Sequence, residues 1–84
     1  MITVHIQYFA SIREAMGLAN ETLQTTAVSL AELRELLIAR GGEGGSALAR
    51  GKAVRMALNK VMVNESTPLL DRAEVAFFPP VTGG

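Results

Sequence analysis

Residues 28–40 read Val-Ser-Leu-Ala-Glu-Leu-Arg-Glu-Leu-Leu-Ile-Ala-Arg, and this stretch predicts the main helix of the chain. Ser29 is placed to cap the helix, and Glu32 completes a capping box in which each side chain binds a free backbone donor. Val28 and Leu33 have the spacing of a hydrophobic staple across the first turn. The buried face of the helix is expected to be an apolar stripe formed by Leu30, Leu33, Leu36 and Leu37.

Alternating sequences on both sides of this helix predict strands. Residues 2–9 alternate between an apolar set and a largely polar set, as in a strand that buries one face. Residues 54–63 predict a hairpin with Asn59-Lys60 as its turn, and residues 74–78 predict a last strand. Residues 21–26 predict a short edge strand, because they have strand composition with little apolar character.

Shorter segments complete the pattern. Ser11 and Glu14 fit a second capping box, and Gly17 is placed to end the short helix that follows. Residues 41–52 contain five glycines but lack the spacing of a phosphate-binding loop, because Ser46 stands where that loop needs glycine. They are expected to form a flexible connection with a single helical turn.

This order of elements predicts an α+β fold. One amphipathic helix can cover one face of one sheet, so we expect a mixed sheet of about five strands wrapped on one main helix, which is the ubiquitin-like β-grasp arrangement. The 84 residues suffice for one domain, which we assign to residues 1–78, followed by a flexible, extended C-terminal tail over residues 79–84. Leu69 and Leu70 are expected to close the core.

Composition and charge exclude several functions. Eight basic and eight acidic residues give zero formal net charge, so there is no basic field to hold nucleic acid or an anionic membrane. Cysteine is absent and His5 is the only histidine, so neither a metal site nor a bound cofactor is expected. No apolar run approaches the roughly 20 residues that span a bilayer, and no secretory signal is present, so we expect a cytoplasmic protein.

Three large apolar residues are predicted on the outward face of the sheet. Phe9, Met62 and Phe78 all fall there by strand parity, while residues of the opposite parity fill the core. A single exposed apolar residue means little, but three on one face are typical of a partner-binding surface. The alternative is that a bulge in one strand shifts the parity by one residue.

The C-terminal stretch Phe77-Phe-Pro-Pro-Val-Thr-Gly-Gly84 carries the strongest functional signal. Pro79 and Pro80 stop the pairing of the last strand and stiffen an extended exit from the sheet. The four residues that follow reach about 13 Å when extended. Glycine at the tip lets the chain enter a narrow channel, and the reactive group that it offers there is the carboxylate of Gly84.

Several stretches resemble the small subunit of molybdopterin synthase, a ubiquitin-like sulfur carrier. The resemblance covers the whole chain in element order and is carried by residues 74–84, by residues 2–14 with Tyr8-Phe9-Ala10, and by Ala57-Leu58-Asn59. The chain departs from the family pattern before the last strand, where Leu70-Asp-Arg-Ala-Glu74 replaces a common Asp-Gly-Asp.

The resemblance implies a mechanism in which Gly84 is the catalytic residue. A ubiquitin-activating-like adenylyltransferase uses ATP to couple the Gly84 carboxylate to AMP, and a sulfur donor protein converts the product to a thiocarboxylate. The tail residues Val81, Thr82 and Gly83 carry this group into the large synthase subunit of a heterotetramer. Sulfur then builds the dithiolene of the molybdenum cofactor, with the side chains that catalyse the transfer on the large subunit.

Other functions stay open at this point. A sulfur carrier of the thiamin pathway has the same fold and tail chemistry, although the Phe77–Thr82 run speaks against it. A ubiquitin-like modifier would use the same carboxylate to form isopeptide bonds with lysines of target proteins. A β-grasp interaction module with an inert tail is the alternative from outside sulfur chemistry.

Overall fold

The computed structural model describes residues 1–80. Its strands and helices follow in the order β1 (Ile2–Tyr8), α1 (Ala10–Met16), β2 (Asn20–Thr25), α2 (Leu30–Ala39), α3 (Gly42–Ala47), β3 (Arg55–Leu58), β4 (Val61–Val63) and β5 (Ala73–Phe78). The sheet has the strand order β2-β1-β5-β3-β4, in which β1 and β5 are parallel and all other pairs are antiparallel. The predicted mixed sheet of five strands is confirmed.

The core lies between α2 and one face of the sheet. Leu30, Leu33 and Leu37 are fully buried there, in one cluster with inward side chains of β1 and β5 that include Val4, Ile6, Tyr8, Val75 and Phe77. Leu36 is 37% exposed, so its place in the predicted stripe is wrong. It lies about 100° around the helix from Leu37, which takes it away from the sheet.

The predicted start of α2 is partly correct. The Ser29 hydroxyl accepts a hydrogen bond from the Glu32 amide at 3.2 Å, as predicted. The Glu32 carboxylate accepts from the amide of Val28, at 3.3 Å, where a standard capping box would use that of Ser29. Val28 is exposed, so the predicted staple with Leu33 is wrong. Backbone bonds that join residues 28–30 to residues 67–69 hold the chain here instead.

Helix α1 begins earlier than the sequence predicts. Its N-cap is Phe9, which makes no side-chain capping bond, so the capping box of Ser11 and Glu14 is wrong. The Phe9 amide still bonds to the carbonyl of Phe77, at 3.2 Å, so β1 runs directly into the helix and leaves no room for a cap at Ser11. The predicted end is confirmed, because Gly17 has a left-handed φ of 79° and donates to the Arg13 carbonyl.

The glycine-rich segment is more ordered than the predicted connection, since it forms helix α3 between residues 42 and 47. Gly45 is buried against α2, and a Cβ atom at this position would lie 2.7 Å from the carbonyl oxygen of Ile38. Such contacts are essentially absent for real side chains, so glycine is needed for the two helices to approach. The glycine-rich composition predicted a flexible segment, but in the structure this segment packs closely against α2.

Arg34 on α2 is a buried residue that sequence reasoning missed. It is 5% exposed. Its Nε donates to the Leu48 carbonyl at 2.7 Å, and its Nη2 donates to the Ala49 and Lys52 carbonyls at 3.0 Å each. Its Nη1 pairs with Glu65 at 3.0 Å. Arg34 therefore holds the irregular segment between α3 and β3 against α2.

The hairpin of β3 and β4 is confirmed. Asn59 and Lys60 have φ values of 49° and 71°, as a two-residue turn of type I′ requires. The predicted pairs Met56–Val63, Ala57–Met62 and Leu58–Val61 are the observed register. Of the two leucines expected to close the core, Leu69 is buried and Leu70 is exposed, so the expectation for Leu70 is wrong.

A polar cluster links β1, β2 and the end of α2. The buried Tyr8 hydroxyl donates to Glu21 at 2.7 Å, and Arg40 binds both carboxylate oxygens of Glu21, at 2.9 and 3.0 Å. The hydrogen bonds from Arg40 lower the pKa of Glu21, although partial burial opposes this. Burial raises the pKa of Tyr8 above its ordinary range, with the Glu21 carboxylate as a further cause.

We expect Leu33→Ala to lower the free energy of unfolding by about 2–5 kcal/mol, because it removes a fully buried side chain and leaves a cavity. Leu36→Ala, on the exposed side of the same helix, is the matched control and should cost far less. Urea unfolding of both variants measures the difference. Equal losses would show that α2 does not turn this stripe toward the sheet.

The loss of folding stability as the pH falls below 7 should depend on Glu21. Because its folded pKa is lowered, its stabilising contribution is present above the unfolded value of about 4.3 and is lost as the pH falls through the folded value. Glu21→Gln should therefore lower stability at pH 7 and flatten the decline between pH 7 and pH 3, as measured by urea midpoints. Glu14→Gln, at an exposed position of α1, is the control and should keep the wild-type slope. A wild-type slope in Glu21→Gln would contradict the assignment.

Candidate partner-binding surface

The outward face of the sheet is built by strand register. Gln7 of β1 lies opposite Ala76 of β5, Ala76 lies opposite Ala57 of β3, and Ala57 lies opposite Met62 of β4. These residues form one row across four strands, on the side opposite the core. Because the middle of the row is alanine, the centre of this face is low and flat, with larger side chains on either side.

Phe9 and Phe78 form the next row at the end of the sheet. Their rings stack with centroids 4.7 Å apart and planes inclined by 11°. Phe9 is 38% exposed, Phe78 is half-buried, and Met62 nearby is 53% exposed. The pairing of β1 with β5 runs without a break from Val4 to Tyr8, so no bulge shifts the parity. The predicted outward placement of Phe9, Met62 and Phe78 is what the structure shows.

We call Phe9, Met62 and Phe78, together with Ala57 and Ala76, the outer apolar surface. Met62, Phe78 and the two alanines line a shallow depression of about 260 Å³, which Lys60 and Glu74 also line. Ala57 is only 4% exposed, although it is not part of the core cluster. The larger neighbours on this face therefore already cover it in the free protein.

The outer apolar surface continues to the start of the tail. Phe9, Met62 and Phe78 also line an open groove of about 530 Å³ whose other walls are Ala10, Arg55, Pro79 and Pro80. We call this the exit groove, because the prolines leave the sheet there. The predicted tail residues Val81, Thr82, Gly83 and Gly84 lie outside the described residues, and so does most of the proposed tail segment 79–84.

Arg55 is a residue of the exit groove that sequence reasoning missed. It lies directly opposite Phe78 in the pairing of β3 with β5. A signal was available, since the predicted hairpin turn places Arg55 and Ala57 on the same side of β3. The apolar pattern that identifies the rest of the surface does not include Arg55, because its side chain is charged.

The titratable groups of residues 1–80 form no metal-binding cluster. His5 is outward and exposed, and its Nδ1 lies 2.9 Å from the Thr22 hydroxyl oxygen. Within residues 1–80, no group of three His, Cys, Asp or Glu side chains is arranged to hold a metal ion. Over the same residues, no helix has the length and apolar character needed to cross a membrane.

The fold and this surface define a ubiquitin-like β-grasp protein, and comparison with known proteins gives its family. The model of the ThiS family matches residues 6–84, and the chain belongs to that family. It is 36% identical to the molybdopterin synthase sulfur carrier subunit of Escherichia coli and 32% identical to that of Haemophilus influenzae. Each match covers 96% of this chain and 99% of the relative. The resemblance drawn from the tail and the first strand is confirmed.

Solved structures agree with the fold. A chain from the complex of subunits 1 and 2 of the molybdopterin-converting factor from Helicobacter pylori is 28% identical, with a TM-score of 0.68 over 99% of this chain and 100% of the other. Small archaeal modifier protein 1 from Haloferax volcanii has a TM-score of 0.78 over 96% of this chain and 100% of the other. Its identity is 14%, so it shows the fold alone.

The two faces of the hairpin can be separated with a pair of methionines. Met56 is buried in the core, while Met62 is exposed on the outer apolar surface. Met56→Ala should lower the free energy of unfolding by about 2–5 kcal/mol. Met62→Ala should change it by well under about 1 kcal/mol, as is usual for exposed sites. Thermal or urea unfolding measures both, and a larger loss for Met62→Ala would place the outer apolar surface in the core.

Proposed function

We propose that this chain is the sulfur carrier subunit of a molybdopterin synthase and that it carries sulfur as a thiocarboxylate on Gly84. The observation that carries the proposal is the match to the Escherichia coli sulfur carrier subunit over 96% of this chain. The family match also extends through residue 84 and so includes the Gly-Gly tail. The outer apolar surface, which reaches the start of that tail, is the second support.

Activation of the tail takes place on a separate enzyme. A free carboxylate is a poor electrophile, because it lacks a leaving group. A ubiquitin-activating-like adenylyltransferase joins the Gly84 carboxylate to AMP from ATP and releases pyrophosphate. A sulfur donor protein then supplies sulfur at the oxidation level of sulfide, which attacks the acyl carbon, breaks its bond to AMP and leaves the thiocarboxylate with free AMP. ATP belongs to the activating enzyme, and the carrier itself binds no cofactor.

The large synthase subunit is the partner to which the loaded carrier delivers sulfur. The Helicobacter pylori relative forms a complex of subunits 1 and 2, which supports this pairing. We propose that Phe9, Met62 and Phe78 dock on that subunit while the thiocarboxylate enters its active site. The side chains that catalyse sulfur transfer to the pterin precursor lie on the large subunit, and the assembly is a heterotetramer in the cytoplasm.

The exit from the sheet suits this role. Pro79 and Pro80 follow the last paired residue of β5, so they direct the chain away from the sheet in a restricted conformation. The four residues beyond them span about 13 Å when extended. Gly83 and Gly84 have no side chains beyond hydrogen, so a narrow channel can surround the reacting carboxylate.

The other functions have less support. Both relatives carry the name of a molybdopterin synthase subunit, which favours that pathway over thiamin synthesis. The archaeal modifier shares the fold at 14% identity, which does not favour protein modification. If the tail were inert, the similarity of this chain to the family through residue 84 would have no functional explanation.

Substitutions on the outer apolar surface should weaken binding to the large subunit. Burial of a large apolar side chain contributes about 1.5–3 kcal/mol, so Phe78→Ala or Met62→Ala should raise the Kd by roughly ten-fold to more than a hundred-fold. Val61→Ala is the matched control, because Val61 is exposed beside Met62 but points to the other face of β4. Calorimetric titration with the purified large subunit measures all three. Unchanged affinity in both surface variants would exclude this face as the docking site.

Deletion of Gly83 and Gly84 should leave the fold intact and abolish sulfur loading. Each deleted residue withdraws the carboxylate by about 3.3–3.6 Å, and errors near 1 Å already cost about a hundred-fold in rate. Intact mass after incubation with the activating enzyme, ATP and a sulfur source reports the exchange of one oxygen for sulfur.

Thr82→Ala is the control for this deletion, because it keeps the length of the tail and should still acquire sulfur. The exchange should map to the C-terminal peptide of the full-length chain. A full-length chain that stays unmodified beside a competent activating enzyme would overturn the sulfur carrier proposal and favour the inert interaction module.

A further inference from the structure

Arg55 is the charged residue of an otherwise apolar groove. Among the described residues that line the exit groove, it is the only one that carries a charge. It is exposed, and it forms no ion pair within residues 1–80. The arginines at 34, 40 and 50 differ, because each of them binds a glutamate of this chain.

Arg55 is placed where a protein that binds the outer apolar surface would also cover it. Arg55 lies directly opposite Phe78 across the pair of β3 and β5, and it shares the exit groove with Met62. A partner that covers the exit groove also displaces water from Arg55, because Arg55 forms part of its wall. A buried cation without a counter-ion is strongly destabilising, so the interface must supply an anion.

We propose that Arg55 pairs with a carboxylate side chain of the protein that docks on the outer apolar surface, and that this pair helps to select that partner. The guanidinium fork matches a carboxylate with two parallel hydrogen bonds, which is a geometry that an ammonium group lacks. The partner surface therefore presents an apolar patch to Phe9, Met62 and Phe78 and an Asp or Glu beside it. The proposal rests on the proposed function, because it takes the large subunit as the partner.

The chain's own terminal carboxylate is the competing anion. Gly84 lies four residues beyond Pro80, so its reach of about 13 Å would allow a return to the groove. In a carrier at work, however, that carboxylate is activated by one enzyme and delivered to another. The terminal group changes between carboxylate and thiocarboxylate during this cycle. A counter-ion for Arg55 that is present at every stage therefore has to come from the partner.

Charge reversal tests the ion pair. Arg55→Glu should raise the Kd for the large subunit by about ten-fold or more, with most of the change in the dissociation rate, as for a desolvated charge pair that loses one partner. Arg72→Glu is the matched control, because Arg72 is an exposed arginine at the other end of β5 and should change the Kd less than about two-fold. Thermal unfolding of each variant checks that it is folded.

A second variant locates the carboxylate on the partner. Arg55→Lys places a primary amine at the same position, which a water-soluble carbodiimide can join to a carboxylate within contact distance as an amide. Mass spectrometry of the complex should show a cross-link from position 55 to an Asp or Glu of the large subunit. The corresponding Arg72→Lys variant should give none.

The outcomes separate this inference from the proposed function. A wild-type chain that does not bind the large subunit overturns both. Normal wild-type binding with equal affinities for Arg55→Glu and Arg72→Glu, or a complex without a cross-link from position 55, overturns the ion pair alone. An Arg55→Glu effect that disappears when the terminal carboxylate of Gly84 is converted to a neutral amide assigns the counter-ion to the chain's own terminus and also overturns it.

Discussion

Strand β5 alternates between the two faces of the sheet, and the rest of the structure depends on the register of that alternation. Val75 and Phe77 lie in the core beneath α2, while Ala76 and Phe78 face outward. The strand is paired on both sides, in parallel with β1 and antiparallel to β3, so its register sets which side chains of both neighbours face outward. A slip of one residue would exchange the faces and expose Phe77.

The segment between α3 and β3, which Arg34 holds against α2, connects the core to the outer apolar surface. A buried guanidinium is costly unless its donors are satisfied, and here they bind carbonyls of Leu48, Ala49 and Lys52 and the carboxylate of Glu65. That segment leads directly into β3, which carries Arg55 and Ala57 to the outer face. The position of the exit groove therefore depends on packing on the opposite side of the sheet.

Local patterns predicted most elements, and long-range contacts decided the exceptions. The hairpin register, the left-handed end of α1 at Gly17 and the Ser29 cap all depend on neighbouring residues, and all are confirmed. The capping box at Ser11 failed because a bond between Phe9 and Phe77, distant in sequence, starts α1 earlier. The outward placement of Phe9, Met62 and Phe78 was predictable, because a strand has a period of two residues.

The sequence by itself determined the order of elements, the buried face of each central strand and the Gly-Gly tail that resembles the sulfur carriers. Hydrophobic periodicity and turn residues encode these features locally. Only the tertiary structure decided the burial of Arg34, the close contact of Gly45 with Ile38 and the stacking of Phe9 on Phe78. It also brought Arg55 beside Phe78 at the start of the tail. Each of these contacts joins different elements of the fold, where residue spacing carries no information about distance.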